Sequence, residues 1–449
     1  MLSIRKKVQR KSFDSIYKRY SVPSVCRELT NLRPNSYAMN PINPKSALIF
    51  ILVTICLDSI GLGIIIPSFP TLISETAHVP LGKASQYFGW VMGAYAFMQF
   101  VFSPLIGNLS DRYGRRPVLL ISVLGMSLDY MVMYYAPDLF WLVLGRAISG
   151  IFGASFTSAA AYIADISTPE NRAKNFGLIG AAFGIGFVIG PAIGGLLSDF
   201  GSRTPFLVAA FFSMANFIYG YFVLSESLPV ENRRKFEWKR ANPFGALQQI
   251  KRFEKLKYLF LVTFLTILTT MCVHSTWNFY SMEKFGWSTK EVGISLALVG
   301  VCSGLVQGAF TGKIVKSLGQ KNAAKAGLFL SIFVLIGLGL INQGWMMYAI
   351  ILPYAFTGIV DPAIRSLVSG QVQSNEQGEL QGIFTSLMSL AEIIGPPLFM
   401  WFYYHFKSSV PNSSLGLGTP FWVAAFIGLL AFLLISWTLR SYTEEVNEK

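Results

Sequence analysis

Charge is what this chain has least of. Asp, Glu, Lys and Arg make up only 13% of its 449 residues, against about 25% in an ordinary soluble domain, so a soluble globular fold is not expected. Cysteine is scarce too: Cys26, Cys56, Cys272 and Cys302 show no CxxC spacing, and three of them fall inside apolar runs. Neither a disulfide framework nor a zinc site is indicated. The three histidines, His78, His274 and His405, are scattered and form no metal-ligand set. No glycine-rich phosphate loop is present, which excludes an ATP-driven motor within this chain. No nucleophile–base pattern suggests an enzyme.

Apolar residues fill the space that charge leaves. Hydrophobic side chains account for 53% of the chain, and stretches of about 20 apolar residues, each long enough to cross a bilayer, recur from residue 46 onward. The expected fold is an all-α membrane protein with twelve spans, near 46–68, 84–106, 118–136, 139–163, 175–197, 204–224, 258–281, 291–312, 324–342, 345–369, 379–403 and 418–439.

The net charge of +14 would suit a nucleic-acid binder if it were spread over a surface, but its distribution speaks against that. With both termini inside, only Lys83, Arg203, Lys284, Lys290 and Lys407 fall outside the membrane, and Arg146 and Arg365 fall within spans. The remaining Lys and Arg lie in cytoplasmic segments, which is the positive-inside distribution of an inner-membrane protein. Residues 1–45 form a basic cytoplasmic leader with Asp14 and Glu28 as its acids and no signal-peptide core. A transit peptide, a functional basic tail and a true start at Met39 all remain open for it. The expected organisation is a six-helix bundle over 46–224, a charged cytoplasmic linker over 225–257, a second bundle over 258–440 and a cytoplasmic tail over 441–449.

The turn between the second and third spans reads Gly107-Asn-Leu-Ser-Asp111-Arg112-Tyr-Gly114-Arg115-Arg116-Pro117. Gly107 and Gly114 permit a close turn, and Pro117 suits the first turn of the following helix. The bland alternative is a basic inside loop and nothing more. Gly107 and Gly114 recur as Gly312 and Gly319, and Gly177, Gly190 and Pro191 recur as Gly382, Gly395 and Pro396, all offset by 205 residues. One register shared by these landmarks indicates a six-plus-six duplication, its halves related by a pseudo-two-fold axis along the membrane normal with a site between them.

Ionisable groups at membrane depth cost about 2.5–3.5 kcal/mol on insertion scales, so each needs a partner or a use. Asp58 stands mid-span with no local cation and can take up and release protons. Gly61, Gly63 and Pro67 beside it let the helix bend. Arg146, in Leu-Gly-Arg-Ala-Ile-Ser-Gly, has Asp58 as its expected counter-charge. Asp361 and Arg365 are four apart and can pair on one helical face. Glu392 either joins Arg365 in a network or is a second protonatable site. Asp129, beside Tyr130, is read as a packing hydrogen bond or a functional acid. In the fifth span Gly186, Gly190 and Gly194 recur every four residues as a smooth face for close helix contact, and Pro191 loosens the helix among them.

Taken together, these motifs resemble the twelve-helix drug:proton antiporters of the major facilitator superfamily, and among them the tetracycline efflux transporters. The likeness covers about 46–440. It is carried by Asp58 with Ile64-Ile-Ile-Pro-Ser-Phe-Pro-Thr-Leu72, the 107–117 turn, Gly145-Arg146 with Ser149-Gly150, Gly186–Gly195, Ser127–Tyr130 and Gln377–Gly382. The resemblance implies a monomer that binds no cofactor, runs on the proton gradient and exports a drug-like small molecule by alternating access. A divalent cation would enter only as part of a drug chelate. It further implies that Asp111 and Arg112 latch the cytoplasmic side, with Asp111 facing the amino end of the eleventh span near Ser374–Gly378. The tetracycline exporters carry an aspartate in the ninth span where this chain has Ser331, and Asp361, Arg365 and Glu392 stand where that family has uncharged residues. The substrate therefore stays open. A proton-linked importer on the same fold and a non-transporting membrane sensor are the alternatives.

Overall fold

The structure, a computed structural model, describes residues 44–447 apart from 154–155, 169–170, 239–241, 374–375 and 410–413. Most of the leader, with Met39 and Cys26, therefore lies outside the described residues. No strand occurs among those described. Eleven helical segments among them are long and apolar enough to cross a membrane, and one of these, Thr289–Leu340, has 52 residues. At about 1.5 Å per residue it is more than twice as long as a hydrocarbon core of about 30 Å. It is also broken at Gly319, where φ is 75°. Two crossings lie within it, which gives twelve.

Local sequence accounts for where the helices break. The first span, Pro44–Ile65, stops and resumes as Phe69–Ala77, so it does not run unbroken over 46–68. Pro67 and Pro70 have no N–H, which denies the carbonyls of Gly63 and Ile66 their α-helical donors. Gly63 accepts instead from Ile66 N at 3.3 Å. The second span runs over Leu81–Tyr113, well beyond 106, and the third begins at Arg115. The turn between these spans is thus a single residue, Gly114, at φ 105°, and the rest of 107–117 is helical. Its counterpart in the repeat is Gly319. The eighth span opens on a capping box made by Ser288 and Glu291, and a π-turn over Val306–Phe310 joins it to the helix that continues toward Gly319.

Helix packing repeats with the sequence. Within the first half the first span packs on the fifth and sixth, the third on the fourth and sixth, and the second on the fourth. Within the second half the seventh packs on the eleventh and twelfth, the ninth on the tenth and twelfth, and the eighth on the tenth. The glycines agree: a Cβ at Gly190 would meet Gly63 of the first span, and one at Gly395 would meet Met271 of the seventh. The halves face each other mainly through the second span with the eleventh and the fifth with the eighth, two pairs that a two-fold axis interchanges.

Candidate functional site

Contact between the halves is concentrated at one end, the end away from the Gly114 and Gly319 turns. There Asn278 Nδ2 donates to the Ile66 carbonyl at 2.8 Å, and the Phe88 and Phe279 rings lie 5.3 Å apart. Lys290 Nζ is 3.9 Å from an Asp199 carboxylate oxygen. Gly82 lies against the ion pair of Lys407 with Glu283, and Gly89 against the backbone of Pro396 and Pro397. Toward the turn end the helices part. Gly177, Gly180 and Gly184 of the fifth span, and Gly304, Gly308 and Gly312 of the eighth, have among the described residues no neighbour beyond their own helix backbone within 4 Å of where a side chain would begin.

Between the sealed end and the open one lies a cavity of about 250 Å³ with walls from both halves. Its lining is largely apolar and aromatic, with Phe69, Phe88, Tyr95, Phe187, Trp277 and Tyr354, and the charged side chains among it are Arg146 and Glu392. His274 faces it as well. Its size and its few polar groups are those of a small-molecule site.

Arg146 is only 2% exposed. Its guanidinium lies 4.5 Å from the Tyr95 ring centre and 5.7 Å from that of Phe69, a cation–π placement. Nη1 donates to Ser149 Oγ at 3.4 Å, and Ser149 in turn donates to Asp129 Oδ2. Asp129 is fully buried, and its other oxygen has no partner among the described residues. The local sequence makes room for this arrangement, since a Cβ at Gly145 would come within 3.0 Å of Asp129 Oδ1. The expected pairing of Arg146 with Asp58 is not formed; the link from Arg146 runs through Ser149 to Asp129. One helical turn separates Arg146 from Ser149 on the same face, and that proximity outcompetes a partner on another span.

Asp58 is not among the residues that line the cavity; its Oδ1 is buried and unpartnered among the described residues. The Tyr130 hydroxyl, equally buried and unpartnered, packs over Gly61, where a Cβ would lie 3.1 Å from it. Tyr95 lies within electrostatic reach of Arg146, Glu392, Asp129 and Asp58 alike. Tyr95, in the cavity wall, is thus the residue that each of the four groups reaches.

The second half is arranged differently. Arg365 Nε donates to both oxygens of Asp361, at 2.9 and 2.7 Å. Its guanidinium rests 4.6 Å over the Phe384 ring of the eleventh span. The aromatic ring takes the place expected for Glu392, so no Arg365–Glu392 network forms. Glu392 has no hydrogen-bond or ion-pair partner among the described residues. Ser331 lines a separate small recess and not the main cavity.

At the turn, Asp111 pairs with Arg115 Nη1 at 2.6 Å, and Arg115 Nε reaches Asp165 of the fourth span at 3.2 Å. Glu226, just past the sixth span, accepts from the backbone N–H of Arg115 at 2.8 Å and of Arg116 at 3.3 Å. A carboxylate on two free N–H groups at a helix start is favourable by charge and by hydrogen bonding. Only glycine fits at 114, because a Cβ there would run into the Glu226 carboxylate. Arg116 donates to the Tyr221 carbonyl at 2.8 Å, and Arg112 stacks on Tyr113. Gly107 lies one turn back along the same helix. In this state the side chain of Asp111 is engaged within its own half; of the expected latch partner near Ser374–Gly378, residues 374–375 lie outside the described residues, while Glu376 pairs with Arg252 and Gln377 bonds to Ser369 of its own half.

Two halves repeated in sequence and in packing, with a cavity between them, are the plan of a transporter, and the comparison with known families agrees. The sequence profile of the Major Facilitator Superfamily matches residues 51–396 and 259–449. The chain belongs to the Major Facilitator Superfamily. Among its relatives, the tetracycline resistance protein of class C from Escherichia coli is 38% identical over 78% of this chain and 88% of its own. The class E protein from the same organism is 37% identical over 85% and 94%. Among solved structures, a bacterial homologue of the human lysosomal transporter Spinster, in an inward-facing and unoccupied conformation, superposes with a TM-score of 0.73. It is 15% identical over 89% of this chain and 98% of that one. Membership in the Major Facilitator Superfamily makes this chain a multi-pass membrane transporter of small molecules and not an enzyme.

Several members of the site escaped the sequence reading. Glu226 carried a signal, being the first acid after the sixth span, but its target is distant in sequence. Asn278 was readable as an amide inside an apolar run, although its acceptor becomes visible only when the effect of Pro70 on Ile66 is followed. His274 was weighed only as a metal ligand. Tyr95, Trp277 and Tyr354 carried no signal that distinguishes them from lipid-facing aromatics.

Proposed function

We propose that this chain is a proton-coupled antiporter that exports a drug-like small molecule by alternating access. The observation that carries the reading is the cavity between the halves, with Glu392 in its wall and Asp58 within electrostatic reach of its Tyr95, both carboxylates without a hydrogen-bond partner among the described residues. A lone carboxylate at membrane depth is a functional site by default. Support for a drug as cargo comes from the names of the relatives, which are tetracycline resistance proteins.

With the basic termini and linker on the cytoplasmic side, the Gly114 end is cytoplasmic and the described state faces inward. The two bundles, 46–224 and 258–440, rock about the cavity, with 225–257 as their connection. Protons arriving from outside neutralise Asp58 and then Glu392, the inward state follows, and cargo entering from the cytoplasm favours proton release. Coupling needs only that cargo and proton compete for the same negative field, each shifting the equilibrium by its own differential affinity. Arg146 stays charged throughout and, through Ser149, holds Asp129 in place. Asp361 and Arg365 serve each other as a structural pair.

The chain works as a monomer in the inner membrane and needs no bound cofactor. The cargo is drug-like, and a divalent cation takes part only if the cargo is a tetracycline chelate. Inverted vesicles with an imposed pH gradient test the reading: cargo, chosen from a drug-susceptibility panel that includes tetracyclines, should accumulate only when the lumen is acid. Accumulation with an alkaline lumen would instead mark a proton-linked importer.

A further inference from the structure

Beside the main cavity, within the second half, lies a recess of about 30 Å³, the share of one water molecule in the liquid. Thr266, Thr269 and Thr270 of the seventh span, Ser331 of the ninth and Thr357 of the tenth give it a wall of hydroxyls. Tyr354 and Val273 belong to the recess and to the main cavity at once, so the two spaces adjoin.

The hydroxyls of that wall have already spent their protons. Thr266 donates to the Val262 carbonyl at 2.8 Å, Thr269 and Thr270 to the Thr266 carbonyl at 2.7 and 3.2 Å, Ser331 to Leu328 at 2.7 Å and Thr357 to Tyr354 at 2.6 Å. A hydroxyl has one proton and two lone pairs. With the protons committed to backbone carbonyls, these five oxygens offer only lone pairs to anything in the recess. It accepts hydrogen bonds and does not give them, Tyr354 excepted.

Glu392 adds charge of the matching sign. It lines the main cavity from the second half and pairs with no cation among the described residues. Arg146, the permanent cation among the described lining residues, is on the opposite half and lies against Tyr95 and Phe69. His274, also in the wall, can serve as acceptor or donor. Both polar features of the second half therefore suit a positively charged group rich in N–H donors, while the aromatic lining suits an apolar body.

We infer that the cavity takes amphiphiles ending in a primary ammonium, the charge set against Glu392 and the N–H donors against the hydroxyl recess behind Tyr354. This rests on the reading of the cavity as the cargo site and narrows it to a chemical class. The recess distinguishes a primary ammonium from a quaternary one, which has the same charge and no N–H to donate.

The test is calorimetric titration of the full chain in nanodiscs with three probes built on one naphthylbutyl body, ending in –NH₃⁺, –N(CH₃)₃⁺ or –C(CH₃)₃, the last a neutral isostere of the second with no donor. The ammonium probe should bind about tenfold tighter than the trimethylammonium probe, and that one about tenfold tighter than the tert-butyl probe. Thr270→Val combined with Ser331→Ala should erase the first gap and keep the second, while Thr270→Ser keeps both. Glu392→Gln should erase the second gap. Unchanged binding of the tert-butyl probe, which offers neither charge nor donor to the substituted residues, shows in each variant that the cavity is intact. If the probes bind with either gap unmoved by its own substitution, the inference falls and the cargo site stands. If the unsubstituted chain binds none of the three, the cargo site falls as well.

Discussion

Asn278 of the seventh span donates from Nδ2 to the Ile66 carbonyl of the first, 2.8 Å away across the boundary between the halves. Pro70, four residues on from Ile66, has no N–H to close the helix on that carbonyl, so the first half exposes an acceptor that only the second half satisfies. The bond acts as a clasp on the sealed end. Opening that end breaks it and leaves a carbonyl to be hydrated.

Replacing Asn278 with Ala should therefore favour the state open at the sealed end by about 1–3 kcal/mol, a shift of roughly 5- to 150-fold. Spin labels at Phe200 and Trp345, exposed positions on opposite halves, should report a longer distance in that variant. Pro70→Ala supplies the missing N–H, so Asn278→Ala should have much less effect in that background. Equal shifts in both backgrounds would show that the clasp lies elsewhere.

Asp58 is the carboxylate whose loss should matter most. Asp58→Asn keeps the shape and removes the exchangeable charge, so pH-driven transport in vesicles should fall by roughly tenfold or more. Binding of cargo to the purified protein should persist at least in part. Undiminished pH-driven transport would take Asp58 out of the coupling, leaving Glu392 as the site to test next.

At the turn, the Glu226 carboxylate occupies the space a side chain at 114 would need. Gly114→Ala should cost about 1–3 kcal/mol, from positive φ and from the displaced carboxylate together. Glu226→Gln, which keeps one acceptor and loses the charge, should cost about 1 kcal/mol or less. Thermal unfolding in detergent orders the two. If Glu226→Gln proves the costlier, ionic contact with Arg233, 3.9 Å away, outweighs the capping of Arg115 and Arg116.

The extent to which the site could be read from sequence follows the range of the interactions. Spans, the Gly114 turn and the duplication depend on hydropathy and on glycine spacing, both local, and were legible. So was the pairing of Asp361 with Arg365, four residues apart. Arg146 was legible as buried but not by its partner, because Ser149 on its own face competes with Asp58 on another helix. Glu226 and Asn278 each satisfy backbone groups more than 100 residues away, and no pattern within either segment encodes that. The recess around Ser331 depends on where each hydroxyl sends its proton, which is fixed only once the helices are folded.

The glycines of the fifth span divide into two sets with opposite expectations. Gly186, Gly190 and Gly194 lie on the backbone of the first span. A Cβ at Gly186 would come within 2.5 Å of the Cys56 carbonyl, one at Gly190 within 2.7 Å of Gly63, and one at Gly194 would run into the Ile64 carbonyl. Alanine at any of them should cost about 1–3 kcal/mol by overpacking. Gly177, Gly180 and Gly184 meet nothing, and alanine there should leave thermal stability unchanged or raise it by about 1 kcal/mol.

The second set gains a partner when the antiparallel register of the fifth and eighth spans is continued. Gly195 meets Gly293, and Val188 meets Gly300. The same register, carried toward the open end, pairs Gly184 with Gly304 and Gly180 with Gly308, and leaves Gly177 one residue out of step with Gly312. All six stand free while that end is open, and rocking the halves together brings glycine onto glycine, where backbones can approach most closely. Cysteines at 180 and 308 should then cross-link during turnover and stop transport, since such a contact falls within disulfide reach of about 4.4–6.8 Å between Cα atoms. Leucine at 180 should leave the described state folded and stop the cycle. Normal transport by the leucine variant would mean that the open end closes through other residues.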